Sequence, residues 1–314
     1  MTIIEAVSAT DNLLSKSLAA SPKPLLRMTE HLSTSKGKGI RAQILLNSAM
    51  GKDGEIHHDA PKAAAAVELL HMATLVHDDV IDNAPVRRNI ETLNVKFGNK
   101  EAVICGDYLL CVALGVISDI ACDDYSKYTN LIPSMTKTIS KICEGECRQI
   151  FENKNTDLSF SDYLRIITGK TACLFYLSAY AGAVIGGCDE KETKSLAGFG
   201  QYLGMLFQIS DDIKDYEQSE DQAKKPVKHD IAQGSVTLPL ILALRKNQSL
   251  ARVAREIMQN SKDPAPLVRE VISTGALSDS KAVAERYRLK AKKCIGNIEN
   301  ETKRESLIKI LEQI

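Results

Sequence analysis

Net charge is missing from this chain: 40 Lys and Arg balance 40 Asp and Glu over 314 residues. No global field draws it to nucleic acid or to an anionic membrane, so any anion site has to be local. No C-x-x-C pair occurs among the eight cysteines. That argues against the common zinc and dithiol motifs and leaves Cys143 and Cys147, on one helix face, as a candidate metal pair. Two ligands are too few for a structural zinc, so buried free thiols in a reducing cytoplasm are expected. The start, Met1-Thr2-Ile3-Ile4-Glu5-Ala6, has no basic stretch followed by an apolar core, and no secretory signal is expected. No apolar run approaches the roughly 20 residues that span a bilayer, so no transmembrane segment is expected. There is no G-x-x-x-x-G-K-[ST] phosphate loop, no kinase motif set and no evident Ser-His-Asp or Cys-His arrangement. Alternating strand patterns and Asn-Gly hairpin signals are missing too.

What is present is helical periodicity and an apolar fraction of 44%, enough for a sizeable core. Long helices are predicted over 61–82, 99–121, 130–152, 160–187 and 190–218. Shorter ones are predicted near 3–20, 23–33, 39–50, 236–247, 249–259, 264–274, 278–297 and 300–313. Ser159 or Ser161 with Asp162, and Asp189 before Glu190, supply N-cap chemistry. Residues 219–234 form the clearest loop, polar and basic, placed where a lid could act. The fold class is all-α, a helical bundle in one domain spanning 1–314, with a site between its helices.

Two stretches carry the chemistry. His77-Asp78-Asp79-Val80-Ile81-Asp82 and Ser210-Asp211-Asp212-Ile213-Lys214-Asp215 each read D-D-x-x-D. Residues four apart share a helix face, so Asp78 and Asp82 point one way, as do Asp211 and Asp215. Either copy alone could be a solvated surface. Each, however, ends a largely apolar helix, where carboxylates usually have a partner or a metal. Mg²⁺, a hard cation that takes one or two carboxylates plus substrate phosphates, is the natural ligand. Cations flank these repeats. Arg87 and Arg88 follow the first, and arginine suits bidentate phosphate binding. Lys36-Gly37-Lys38-Gly39-Ile40-Arg41 is a glycine-containing turn with positive charge, weak evidence by itself. His71 lies nearly two turns before Asp78, on the aspartate face. Lys170, beside Thr171 in an apolar region, calls for an anionic partner. Gln208 lies one turn before the second repeat, on its face. The set suits two polyphosphate groups and metal-assisted departure of one of them.

With these flanks, and with Gly106-Asp107-Tyr108-Leu109-Leu110, Gly145-Glu146 and Thr237-Leu238-Pro239, the sequence resembles the all-trans polyprenyl diphosphate synthases over nearly its whole length. The resemblance implies a homodimer of all-α bundles of the isoprenoid synthase type, each with a central active-site cavity. It implies head-to-tail condensation of isopentenyl diphosphate with an allylic diphosphate. Catalytic work falls to Asp78, Asp79, Asp82, Asp211, Asp212, Asp215 and Lys170. Asp78, Asp82 and Asp211 would ligate Mg²⁺. Arg87, Lys170, Thr171, Gln208 and Lys225 would contact the allylic diphosphate, and Lys38, Arg41, His71 and Arg88 would hold isopentenyl diphosphate. Ionisation of the allylic C–O bond, attack by the isopentenyl double bond and loss of a proton complete the reaction.

The chain departs from the family pattern in places. Lys36, Gly39 and Ala42 replace a Gly, an Arg and a Pro of the usual turn, and Asn89 stands where Gly is common. Ser235 replaces a diphosphate-contacting Lys, with Lys224 or Lys228 available to compensate. In the family, bulky residues four and five places before the first Asp block chain growth; here Thr74 and Ala73 are small. A tunnel deepening by units of about one helical turn, floored near Leu109, Leu110, Val112 and Ala113, leads to a product of about C30 to C45, suited to a quinone side chain. The alternatives are a short-chain (farnesyl or geranylgeranyl) synthase and a non-catalytic subunit of a heteromeric synthase. A class I terpene cyclase usually carries a different second motif.

Overall fold

Helix-favouring residues and a near absence of internal prolines leave most of this backbone helical. The computed structural model describes residues 1–35, 37–217, 229–260 and 262–314. In order the elements are α1 (Ile3–Ala19), α2 (Lys23–Ser33), α3 (Ile40–Ser48), α4 (Ala60–Ile81), β1 (Val86–Arg87), β2 (Ile90–Glu91), α5 (Leu93–Phe97), α6 (Asn99–Asp123), α7 (Tyr125–Tyr128), α8 (Leu131–Phe151) and α9 (Phe160–Ile167). A π-helical turn, Thr168–Ala172, lies between α9 and α10 (Cys173–Ile185). There follow α11 (Glu190–Glu217), α12 (His229–Gln233), α13 (Leu238–Lys246), α14 (Leu250–Asn260), α15 (Ala265–Ser273), α16 (Ala276–Ile295) and α17 (Glu301–Glu312). The chain divides into two compact units. One comprises Met1–Lys137, Leu174–Gly200 and Cys294–Gln313, the other Thr138–Cys173 and Gln201–Lys293 with Ile314.

In the first unit α4 is enclosed by α1, α3 and α6. Its Ala63, Ala64, Ala65 and Ala66 are all buried, so it has no polar face along that stretch. Small side chains let neighbours approach. A Cβ at Gly106 of α6 would lie 2.3 Å from His77 Nε2 of α4, and one at Gly182 of α10 would lie 2.2 Å from the Leu45 carbonyl of α3. In the second unit α8 meets the π turn at two glycines: a Cβ on Gly145 would stand 2.4 Å from the Lys170 backbone nitrogen. The second half of α11 buries Leu203, Leu206, Ile209, Ile213 and Tyr216, a three-and-four spacing that carries Asp212 inward with them.

The predicted helices are present, with three differences of substance. The helix expected over 160–187 contains the π turn, in which the Cys173 N–H bonds back five residues to the Thr168 carbonyl. Residues 229–233 of the predicted loop are helical, and its remainder up to 228 lies outside the described residues. A small antiparallel hairpin, Val86↔Glu91 and Arg87↔Ile90, stands where the sequence shows no strand pattern. Ser159, not Ser161, caps α9, accepting from the Asp162 N–H at 3.1 Å. Two expectations need correction. Cys111, Cys122, Cys143 and Cys147 are exposed rather than buried, because each falls on an outward helix position. α6 is also long and apolar enough to cross a membrane by length and composition, because Asp107 and Asp119 alone interrupt its central run.

Candidate active site

The first acidic repeat occupies the C-terminal end of α4, and Asp82 is its C-cap. That is the negative end of the helix dipole, the worst place for three carboxylates unless cations accompany them. One cation is in place: Arg87 Nε donates to Asp79 Oδ1 at 2.7 Å. Asp79 is buried, while Asp78 and Asp82 are half-buried. The hairpin explains how an arginine reaches back. Arg88 and Asn89 form its turn with φ of 51° and 66°, the left-handed pair that a two-residue hairpin loop needs. Asn tolerates that region, which accounts for Asn89 where Gly is common.

Around His71, on the same helix, positive charge is concentrated. Arg41 Nη1 lies 3.1 Å from His71 Nε2. A guanidinium can only donate, so Nε2 accepts and the ring's proton belongs on Nδ1. Burial, then Arg41, Arg88 and Arg87, hold the imidazole well below its ordinary pKa, so it is neutral. Arg41 also stacks over Phe175, 4.6 Å from the ring centroid. Gly37 packs on Arg88: a Cβ there would meet its guanidinium at 2.8 Å. Glu68, which the sequence reading passed over, accepts from the Ala42 N–H at 3.0 Å, and burial raises its pKa. It lies three residues before His71, a spacing that could have flagged it. Glu68, His71, Asp79, Arg87 and Arg88 line a cavity of about 170 Å³. Lys38 is exposed at the turn, with its carbonyl accepting from Gln43 Nε2 at 2.8 Å. Ala73 is buried, and the half-buried Thr74 hydroxyl donates to the His71 carbonyl at 2.8 Å.

The second repeat is built differently. Asp211 is exposed, Asp215 half-buried and Asp212 buried. Tyr163 O–H donates to Asp212 Oδ2 at 2.6 Å and Gln208 Nε2 to Oδ1 at 2.8 Å. Burial outweighs these bonds and, with Asp211 and Asp215 nearby, the Asp212 carboxyl is pushed up to about 7. Asp230 on α12 joins the group. Its N–H donates to Asp215 Oδ2 at 3.3 Å, and desolvation plus Asp212, Asp215 and Asp211 raise its carboxyl well above the usual range. No spacing in the sequence marks it, since it lies fifteen residues past Asp215. Lys170, on the π turn, pairs with Glu146 Oε2 at 2.8 Å, the anionic partner its setting demands. Thr171 O–H donates to Gln208 Oε1 at 2.6 Å. Lys225 lies outside the described residues. In each repeat the donors available to a cation are hard carboxylate oxygens one helical turn apart, a set that fits Mg²⁺.

A family model described as polyprenyl synthetase matches residues 22–274. The chain belongs to the polyprenyl synthetase family. It is 38% identical over 288 residues to heptaprenyl diphosphate synthase component 2 of Bacillus subtilis (strain 168), covering 90% of this chain and 80% of that protein. Among solved structures it superposes on heptaprenyl diphosphate synthase from Staphylococcus aureus with a TM-score of 0.91, 29% identity and coverage of 100% and 98%. A polyprenyl synthase from Caulobacter crescentus CB15, solved with calcium and isoprenyl diphosphate, gives 0.89 at 28% identity, covering 98% of this chain and 93% of that one. The all-α isoprenoid synthase fold expected from the sequence is therefore the fold of this polyprenyl synthetase.

Proposed function

We propose that this polyprenyl synthetase condenses isopentenyl diphosphate head to tail with an allylic diphosphate, building an all-trans polyprenyl diphosphate. The observation that carries the reading is the pairing of two intact D-D-x-x-D repeats with a separate cationic group, Arg41, Arg88 and neutral His71, that has a cavity beside it. Two diphosphates need two such groups.

Asp78, Asp82 and Asp211 are the proposed Mg²⁺ ligands, with Asp79, Asp212 and Asp215 supporting them. When bound, Mg²⁺ neutralises the allylic diphosphate and the charge it gathers as its C–O bond breaks. Arg87, Lys170, Thr171, Gln208 and Lys225 complete the allylic site. Positive groups fixed beforehand stabilise the departing pyrophosphate most in a water-poor setting. The Arg87–Asp79 and Lys170–Glu146 pairs supply that fixing. Lys38, Arg41, His71 and Arg88 hold isopentenyl diphosphate, and His71 serves as a hydrogen-bond donor through Nδ1. The proton lost after C–C bond formation goes to the released pyrophosphate.

Small Ala73 and Thr74 support a long product, and heptaprenyl, the C35 length in the names of two relatives, falls inside the range of about C30 to C45. Ala73→Tyr and Thr74→Phe shorten the product on this reading; unchanged lengths from both would remove the open-tunnel argument. Residues 1–314 act as one catalytic domain in the cytoplasm. The exposed Val103 and Ile104 of α6 support a homodimer that covers them. A second reading is favoured by one observation, the Bacillus subtilis relative's designation as component 2: activity that requires a different second chain. Purified protein incubated with Mg²⁺, labelled isopentenyl diphosphate and farnesyl diphosphate decides. A ladder ending at one polyprenyl length supports the first reading. No incorporation with farnesyl diphosphate, nor with geranylgeranyl or dimethylallyl diphosphate in its place, supports the second and sinks the self-sufficient enzyme.

A further inference from the structure

The loop leading into α4 holds three ligating side chains that this reaction does not use. His57, His58 and Asp59 each bring one ligand atom into a group whose members all lie within 4.8 Å of one another. His57 Nδ1 is 3.7 Å from Asp59 Oδ2, and His58 Nε2 is 3.6 Å from Asp59 Oδ1. These two distances run to different oxygens of Asp59, and ligand atoms on one tetrahedral zinc-type ion stand about 3.4 Å apart, so gathering the three, now within 4.8 Å of one another, takes side-chain movements of up to about 1 Å.

Asp59 is not behaving as an ordinary helix start. It occupies the N-cap position of α4 yet makes no side-chain capping bond, which is the usual use of an aspartate there. The residue is 6% exposed, and its carboxylate turns instead toward the two imidazoles. There it also accepts at Oδ2 from the buried Tyr128 O–H, at 3.1 Å. Such an outer hydrogen bond is how ligating carboxylates are commonly oriented. The two imidazoles are already side by side, stacked with centroids 4.3 Å apart.

We propose that His57, His58 and Asp59 bind a divalent transition metal of the zinc type, at a site separate from the acidic repeats. Imidazole nitrogen favours zinc, copper and nickel, whereas the all-oxygen repeats favour magnesium. Asp78 lies nineteen residue steps beyond Asp59, about 28 Å along the axis of α4. His57 Nδ1 now accepts from the Asp59 N–H at 3.3 Å and would exchange that bond for the metal, with water completing the coordination. The metal fastens the 57–59 loop to α7 through Asp59 and Tyr128. Lys127 opposes it: its exposed ammonium lies 3.3 Å from His57 Nε2, and it repels a bound cation.

Zinc titrated by calorimetry into the EDTA-stripped full chain, in excess Mg²⁺, tests the site. The expected result is one site that Asp78→Ala keeps, that His57→Ala/His58→Ala weakens at least about tenfold, and that Lys127→Gln tightens. Equal zinc binding by the wild type and the double histidine variant overturns the proposal, as does its loss in Asp78→Ala. Should the double variant fail to fold, Co²⁺ on the wild type decides. Visible bands of tetrahedral nitrogen–oxygen coordination support the site; thiolate charge-transfer bands alone, or no bands, overturn it.

Discussion

The two acidic repeats share a sequence pattern but sit in opposite electrostatic settings. At the first, Arg87 is already bonded to buried Asp79, and Arg41, Arg88 and Arg87 help hold His71 neutral. At the second, carboxylate is packed against carboxylate: Asp212 is pushed up to about 7 and Asp230 is raised well above its usual range. A carboxylate bonded to an arginine is ready without a metal. A buried one among its own kind holds a proton until a cation displaces it, because ionisation there is costly. The first set is thus paired in advance, whereas the second, if it takes the proposed Mg²⁺, would release protons as the metal binds.

The largest effect expected from either set is on turnover. Asp78→Ala and Asp211→Ala should each cost about 3 kcal/mol or more of transition-state stabilisation, about a hundredfold or worse in labelled isopentenyl incorporation. Near-normal turnover in either folded variant would remove that repeat from the site and end the comparison.

Stability against pH separates the sets next. Asp212 has its folded pKa raised from 3.8 to about 7. The stability linked to its proton is therefore complete below about pH 4 and is lost as pH rises to about 7. Measured in EDTA, the wild type should lose roughly 2–3 kcal/mol relative to Asp212→Asn between pH 5 and pH 8. Parallel denaturation curves for the two proteins would show that the second set is no more strained than the first. The first set predicts the opposite sign. Arg87→Met removes the charged partner of a buried carboxylate and should destabilise the protein by about 1.5–3 kcal/mol at neutral pH, in urea. An unchanged midpoint would mean that Asp79 does not depend on the hairpin.

How much of this was legible in the sequence follows from what each feature depends on. Long helices announce themselves through apolar period, so α4, α6 and α11 were readable with their ends. The i, i+4 spacing put Asp78 with Asp82, and the apolar surroundings of Lys170 demanded the partner that Glu146 provides. The π turn was not readable, since an i→i+5 bond leaves the flanking pattern of buried residues helical. Asp230 was missed because its placement beside Asp212 and Asp215 is a tertiary fact with no local signature. The site at His57 has no helical spacing to mark it, because its three residues are consecutive and lie ahead of α4.

The hairpin was missed for a different reason, and it carries the smallest prediction. Strands of two residues, Val86–Arg87 and Ile90–Glu91, are too short to show alternation, and Arg-Asn is not the Asn-Gly that marks such turns. Arg88 nevertheless adopts φ 51°, a left-handed conformation that costs an L-residue about 1–2 kcal/mol. The turn holds Arg88 against Gly37 while Arg87 reaches Asp79. Asn89→Gly keeps the turn and should change stability by only a few tenths of a kcal/mol, with the Michaelis constant for isopentenyl diphosphate unmoved. Asn89→Val resists φ 66° and should cost about 1–2 kcal/mol. If the turn is what delivers the arginines, Asn89→Val raises that Michaelis constant far more than Asn89→Gly does. Equal constants in the two variants would mean that the cations of the first set hold their places without it.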